Sequence, residues 1–251
     1  MAISNSILQH YHGKEELIKR LDDAFRQYER TGINQALDFL GPDEIQAAES
    51  FLGNRVPFQL IGGYDEALRK RLIIGEEITP EDYVCCLGAG YDSRFVSIDH
   101  RDLKGSVYNL GLDTGKIGDM WVKDGKMYLY VTREIAPAVC SLLQRVGRAK
   151  VSFSECPFAV QQFEFEHLRI NVSSVRLDSV VSAIVRKSRE KGRQIIEKGL
   201  VNVNYKTIED CTLVCNNNDI LSIRMFGRFK IDNIVTNQRS GKYIIQVSRF
   251  K

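Results

Sequence analysis

The chain has 251 residues, of which 43% are hydrophobic and 27% charged, with a net charge of +3; this is a globular composition and excludes an intrinsically disordered chain. No run approaches the ~20 apolar residues of a membrane helix, and the start, Met1-Ala2-Ile3-Ser4-Asn5, lacks the basic and apolar regions of a secretory signal, so a cytoplasmic protein without membrane insertion is expected. The charge is uneven: residues 171–251 hold 15 Lys and Arg against 7 Asp and Glu, and residues 1–170 hold 20 against 25. Such a split hints at a nucleic-acid-binding end, against the plain alternative of a basic tail with no partner.

From Lys14 to Tyr28, apolar residues recur at three- and four-residue intervals, a helical stripe that Thr31-Gly32 stops. A second pattern runs from Ile33 to Leu40, and Gly41-Pro42 opens a helix that Gly53 ends. Val56 to Gly63 reads as extended and Tyr64 to Leu72 as a short charged helix. Residues 1–75 are therefore expected to be mostly helical, with a small extended appendage.

Over 76–158 a strand at Tyr83–Leu87 is interrupted at Gly88-Ala89-Gly90, read as a bulge or bend, and resumes at Phe95–Ile98. A helix fits Arg101–Leu110, and Met120–Val131 is a hairpin turning at Asp124-Gly125. A helix over Glu134–Arg145 and a strand at Val151–Phe153 complete a split βαβ, ferredoxin-like order, which says little about function by itself. Residues 163–175 read as a bridge.

In the last part, Leu177, Val180, Val181, Ile184 and Val185 form one buried helical face. Ser188 is placed to cap a second, basic helix on which Arg189 and Arg193 share a face. Leu200–Asn204 alternates as a strand, and Asp219–Arg224 forms another. From Arg176 to Lys206 there are eight basic residues against three acidic ones, a composition suited to following phosphates without reading sequence.

Arg176-Leu177-Asp178, Ser188-Arg189, Ile196 through Asn204, Asp219 through Arg224 and Gly227-Arg228-Phe229 occur in that order over about 55 residues, and this stretch resembles the S4 RNA-binding domain. The departures are Tyr205 and Asn218, where that family usually has Gly. Gly62 through Leu72, His100 through Leu112 and Lys116-Ile117-Gly118-Asp119 extend the likeness over nearly the whole chain to the bacterial YlmH family. That resemblance implies an α+β chain with three parts: a mostly helical N-terminal domain (1–75), a ferredoxin-like, RRM-like domain (76–158) and a C-terminal S4 domain (174–251). It also implies a non-catalytic RNA-binding role in ribosome-associated quality control, with rRNA, tRNA and the large ribosomal subunit carrying peptidyl-tRNA as partners, and a link to cell division. A monomer without cofactor or metal is expected. The candidate RNA-contacting residues are Arg176, Arg186, Lys187, Ser188, Arg189, Lys191, Arg193, Gln194, Lys198, Asn204, Lys206, Arg224 and Arg228. The rival readings are an RNA-modifying enzyme that uses S4 for targeting, and a cell-division adaptor.

Other constellations point to structure. His100-Arg101-Asp102 lacks the companions of a phosphoryl-transfer loop and reads as a helix start, with RNA contact beside Lys104-Gly105-Ser106 as the alternative. Gly88-Ala89-Gly90 is too short for a dinucleotide fingerprint. Arg176-Leu177-Asp178 resembles the tripeptide around the catalytic aspartate of pseudouridine synthases, but it opens a helix here and Thr-Ser-Gly does not follow. His10-Tyr11-His12 lacks further metal ligands. The six cysteines form no C-x2-C pair and read as reduced and structural.

Overall fold

The computed structural model describes residues 9–160, 165–237 and 241–250. The chain falls into two compact units, 1–161 and 162–251, each with its own core.

The first unit opens with α1 (Glu15–Thr31), which buries Leu17, Ile18 and Leu21 and ends at Gly32 with φ 66°. β1 (Gln35–Leu40) and α2 (Pro42–Leu52) follow, then β2 (Phe58–Ile61) and β3 (Lys70–Ile74). The three strands pair antiparallel in the order β1-β3-β2. The described residues 9–75 are thus not mostly helical. The 33–40 pattern is too short, between two helix breakers, to support a helix of its own, and it pairs instead with β3. The helix expected over 64–72 is a turn leading into β3. Leu72, Ile73 and Ile74 are all fully buried, the continuous apolar run of a central strand. Asp119 holds the turn, accepting from the Tyr64 hydroxyl (2.7 Å), the Leu68 N–H (2.7 Å) and the Arg69 N–H (3.2 Å).

After the single turn α3 (Pro80–Tyr83) come β4 (Val84–Gly90), α4 (His100–Tyr108), β5 (Ile117–Lys123), β6 (Lys126–Thr132) and α5 (Ala136–Leu142). A small hairpin, β7 (Arg145–Val146) with β8 (Ala149–Lys150), precedes β9 (Ser154–Cys156). The order β5-β6-β4-β9, antiparallel throughout, is that of the split βαβ arrangement. Asp124 and Gly125 have φ of 51° and 74°, the primed turn that suits a two-residue hairpin. Gly88-Ala89-Gly90 is no bulge, since β4 stays in register with β6 through Gly90. No strand forms at 95–98, and the last strand lies at 154–156, beyond the expected 151–153.

One face of this sheet packs Cys85, Leu87, Met127, Leu129 and Val131 with Leu103, Val107 and Val139 of the helices. On the opposite face, Val84, Cys86, Trp121 and Tyr130 pack with Phe39, Ile61, Tyr64, Ala67 and Ile73. The boundary expected at 75 is therefore bridged by a shared core. Arg71, 5% exposed, crosses the same junction. Its guanidinium donates to Leu37 O (2.8 Å), Tyr83 O (2.6 Å) and the Glu134 carboxylate (2.7 Å).

The second unit contains β10 (Phe165–Val172), α6 (Leu177–Val185), α7 (Arg189–Glu197), β11 (Val201–Val203), β12 (Lys206–Thr207), β13 (Ile220–Ile223), β14 (Gly227–Thr236) and β15 (Tyr243–Phe250). The sheet order is β10-β15-β14-β13-β11-β12. Residues 165–172, expected to bridge, pair along their length with β15, and Leu168, Ile170 and Val172 pack on the core. This alternation is a strand signal, so the unit starts before 174; residues 163–164 lie outside the described residues. The helices cover one sheet face, burying Leu177, Val180, Val181, Ile195 and Ile196 with Leu221, Ile223, Phe229, Ile231, Ile245 and Val247. Each such side chain contributes roughly 1.5–3 kcal/mol.

Arg71→Ala is expected to destabilise the first unit by about 2–4 kcal/mol, because it removes a buried side chain and leaves the Leu37 and Tyr83 carbonyls without their donor, read by urea unfolding. Glu134 supplies a pH test. Burial alone would push its carboxyl up, but the Arg71 hydrogen bonds and charge outweigh this and hold it at about 2. Because the folded value lies below the ordinary 4.5, its contribution is complete above about 4.5 and is lost as pH falls toward 2. Glu134→Gln should lower stability at pH 7 by about 1 kcal/mol, since the carboxylate is half-exposed, and flatten the decline between pH 4.5 and 2.

Candidate nucleic-acid interface

α6 and α7 meet at a corner made by Arg186, Lys187 and Ser188. Arg186 takes the left-handed conformation (φ 53°) that ends α6, and the Ser188 hydroxyl caps α7 by accepting from the Lys191 N–H at 3.3 Å. The helices pack closely because residue 192 is glycine: a Cβ there would lie 2.9 Å from Ser182 Cβ and 3.0 Å from Asp178 O, nearer than packed atoms sit.

Asp178 fixes the pair. Its side chain is 2% exposed. It accepts from Arg189 Nε (3.0 Å) and Nη2 (3.2 Å), and from Arg176 Nε (3.4 Å). Burial pushes the carboxyl up, and the hydrogen bonds and charge of Arg189, then Arg176, more than offset this, leaving it below the usual carboxylate range. Two expected RNA contacts are thus engaged inside the protein, although both guanidiniums remain about half-exposed.

The other candidates divide by what they touch. Lys191 donates to Gln194, Gln194 donates to Glu190, and Arg193 lies 3.9 Å from Glu197, so the exposed face of α7 neutralises part of its own charge. Asn204 is structural: it donates to Asp219 (2.8 Å) and accepts from the Ile220 N–H (2.9 Å). Asn204 and Tyr205, with φ of 48° and 68°, form the β11–β12 turn, so Tyr205 adopts the conformation for which Gly would be the easy choice. Asn218, at φ 68°, does the same before β13. Arg228 sits 4.3 Å from the Phe250 ring centre, on the sheet face opposite the helices, since its neighbour Phe229 points into the core.

Arg186, Lys187, Lys198, Lys206 and Arg224 are exposed, and their side chains have no partner among the described residues. Arg186 and Lys187 share the helix corner. Arg224, distant in sequence from Lys198, comes beside the end of α7 because its N–H donates to Leu200 O at 2.9 Å. There a shallow groove of about 410 Å³ runs past Gly199, Leu200, Asn202, Ser222, Arg224 and Met225. Met225, 95% exposed with φ 72°, tips the β13–β14 turn. Sequence reading missed Met225, Gly192 and the anchoring role of Asp178; only Asp178, in the Arg-Leu-Asp run, carried a signal. Such a surface can bind phosphates by charge and shape, with no basis for reading base sequence.

The remaining motifs are structural. Asp99 caps α4, accepting from the Arg101 and Asp102 N–H groups, and Asp102 accepts from the Asp99 N–H. All six cysteines are unbridged, and burial pushes the Cys86 and Cys215 thiols up to about 12. Among the described residues no cluster of His, Cys, Asp or Glu could hold a metal ion, and no helix is long and apolar enough to cross a membrane.

Asp178→Asn is expected to lower the stability of the second unit by about 2 kcal/mol, at the low end for a buried carboxylate because its arginine partners are half-exposed, and Arg189→Ala should also lower it. Arg186→Ala with Lys187→Ala should stay within about 0.5 kcal/mol of wild type; thermal unfolding distinguishes the two classes.

Comparisons with known proteins identify the family of the chain. Residues 79–160 match the family model described as "Putative RNA-binding domain in YlmH". The solved structure "Cell division protein ylmH from Streptococcus pneumoniae" shares the fold, with a TM-score of 0.50 and 16% identity, over 63% of this chain and 95% of that one. The chain is 34% identical over 250 residues to "Ribosome-associated protein quality control protein P2" of Bacillus subtilis (strain 168), covering 90% of this chain and 97% of that protein. With that identity running over nearly the whole of both chains, the protein belongs to the YlmH family.

Proposed function

We propose that the protein is a non-catalytic RNA-binding factor whose second unit is an S4-type domain holding structured rRNA or tRNA on the large ribosomal subunit, in quality control of stalled chains. The observation that carries this reading is the set of five exposed cations, without side-chain partners among the described residues, around the α6–α7 pair and its neighbouring turns. Charged groups left exposed and unneutralised on a fixed scaffold are what phosphate recognition requires. The relative from Bacillus subtilis, named as a ribosome-associated quality control protein, supports the ribosome as the place of action. The non-catalytic part rests on the employment of the aspartates that sequence motifs had singled out: Asp178 neutralises arginines and Asp99 caps a helix. General acid–base catalysis needs a group free to exchange a proton with a substrate.

The test is co-sedimentation of the full chain with large ribosomal subunits carrying peptidyl-tRNA. Arg186→Ala/Lys187→Ala and Lys198→Ala/Arg224→Ala should each weaken binding at physiological salt by roughly 10- to 100-fold. They should also reduce the slope of log affinity against log salt by about one for each phosphate that is no longer neutralised. Unchanged binding in both double variants would move the interface elsewhere. Mass spectrometry of rRNA and tRNA should give the same modification map with and without the protein; a nucleotide modified only in its presence would establish an enzyme.

A further inference from the structure

Among the described residues, the apolar cover on the second face of the ferredoxin-type sheet stops short. Trp121, Tyr128, Gly88 and Ser154 stand opposite one another across β5, β6, β4 and β9. Trp121 is buried, with Tyr64 edge-on against it at 5.6 Å. Tyr128 is only half-buried, and Gly88 and Gly90 have no side chains to fill the space beside it. The result is an open trough of about 300 Å³, with the glycines as floor and Tyr128, Lys126 and Ser154 on its walls. A Cβ at Gly90 would meet nothing nearer than 3.9 Å.

These glycines serve no turn, since both lie in regular β4–β6 pairing; a Cβ at Gly88 would meet Cys156 Sγ at 3.0 Å, whereas Gly90 has no such neighbour. Glycine inside a strand weakens it, and one physical reason to find it there is the close approach of a ligand to the backbone. The walls indicate which ligand. Trp121 stacks on Tyr128 with centroids 5.2 Å apart and planes at 28°, so it backs one face of that ring and leaves the other bordering the glycine floor. Lys126, paired across the strands with Gly90, is exposed and has no side-chain partner among the described residues. A flat ring, a cation and a hydroxyl around a glycine floor fit a nucleobase with its phosphate. The base must be unpaired, because a base within a duplex cannot lie on a sheet. The two-aromatic platform of RNA-recognition domains is not available, because β4 offers glycine and cysteine on this face and Tyr130 lies under Tyr64 and Phe158. Phe95, 81% exposed, stands in the loop leaving Gly90, whose start is tied to the β5–β6 turn by the Tyr91 N–H to Gly125 O bond (2.9 Å).

We infer that this trough seats one unpaired nucleotide of single-stranded RNA, its base against Tyr128 and its phosphate at Lys126. The inference rests on the chain being an RNA binder; the matched family model describes residues 79–160 as a putative RNA-binding domain, and what is added here is which residues of it seat a nucleotide and of what kind.

Trp121 is the only tryptophan of the chain and touches the trough wall, so its fluorescence reports occupancy. The full chain is titrated with the unstructured hexamer hexauridylate and, separately, with a stable RNA hairpin. The hexamer should change Trp121 emission saturably. Tyr128→Ala and Gly90→Val should each weaken it about tenfold, the size of one base–aromatic stack, while Tyr128→Phe binds like wild type. The Gly90 variant keeps the test clean, since its added Cβ makes only an ordinary contact with Gly125 O at 3.9 Å. Hairpin affinity should be untouched by these changes and should fall with Arg186→Ala/Lys187→Ala. Hexamer affinity unchanged in both trough variants, or reduced only by the Arg186/Lys187 pair, overturns the inference. So does an RNA-free dimer, seen by sedimentation and broken by Gly90→Val, which would make a second copy the occupant. Loss of hairpin binding by the wild-type chain would instead fall on the function proposed above.

Discussion

A four-stranded antiparallel sheet with two short helices has one face covered and one bare. In this chain the bare face carries Val84, Cys86, Trp121 and Tyr130, too apolar to stand in water without becoming an association surface. Much of the first unit follows from covering it. Phe39, Ile61 and Ile73 come from the three strands β1, β2 and β3, and Tyr64 and Ala67 from the turn that Asp119 pins down. Arg71 ties the layers by donating to carbonyls on both sides of the junction and to Glu134. The N-terminal segment is therefore the second lid of the ferredoxin-type sheet. Covering Tyr130 also closes most of the surface on which a sheet of this topology could stack bases, and leaves only the glycine floor beside Tyr128.

The second unit has its own organising contact. Asp178 is a carboxylate with almost no access to water, a costly state unless its charge is met. Arg189 meets it from the first turn of α7 and Arg176 from just before α6, and the absent side chain at Gly192 lets the helices come close enough for this to happen. The basic residues thus perform two jobs. Some neutralise acidic groups and set the angle of the helix pair; others, at the corner and at the adjoining turns, stay exposed and without a side-chain partner among the described residues. The two kinds are indistinguishable by composition, and the distinction matters for mutagenesis, because weaker RNA binding on changing Arg189 would report a disturbed helix pair as much as a missing phosphate partner.

How much of this was legible in the sequence depended on whether the deciding interaction was local. α1, α6, α7 and the β5–β6 hairpin follow from apolar spacing and from stop and turn residues a few positions apart. β1 and β3 were hidden because both pack on elements tens of residues away, and a short apolar run fits helix or strand until its partner is known. β10 was hidden for the same reason: its ladder partner, β15, lies at the far end of the chain. The basic surface was visible as a cluster of charges, but the pairing of Arg189 with Asp178 and the capture of Asn204 by Asp219 are matters of tertiary geometry. Gly88-Ala89-Gly90 stood out in the sequence and was misread as a bulge, because a strand that omits side chains to leave room looks the same as one that omits them to bend.

The two surfaces differ in what they can do alone. Charge attraction among five cations acts over about a Debye length and captures any phosphate backbone, whereas a stacking trough acts only at contact and recognises only an unpaired base. The unevenness of charge fits this division, because the long-range pull comes from residues 171–251 while residues 1–170 carry a net negative charge that would not draw RNA by itself. One base on one tyrosine is a weak association. If both proposals hold, one such stack needs no greater strength of its own where the RNA is also bound by charge. A factor built this way would discriminate between RNAs by demanding two features at once, a structured backbone and an unpaired nucleotide, although neither surface reads sequence.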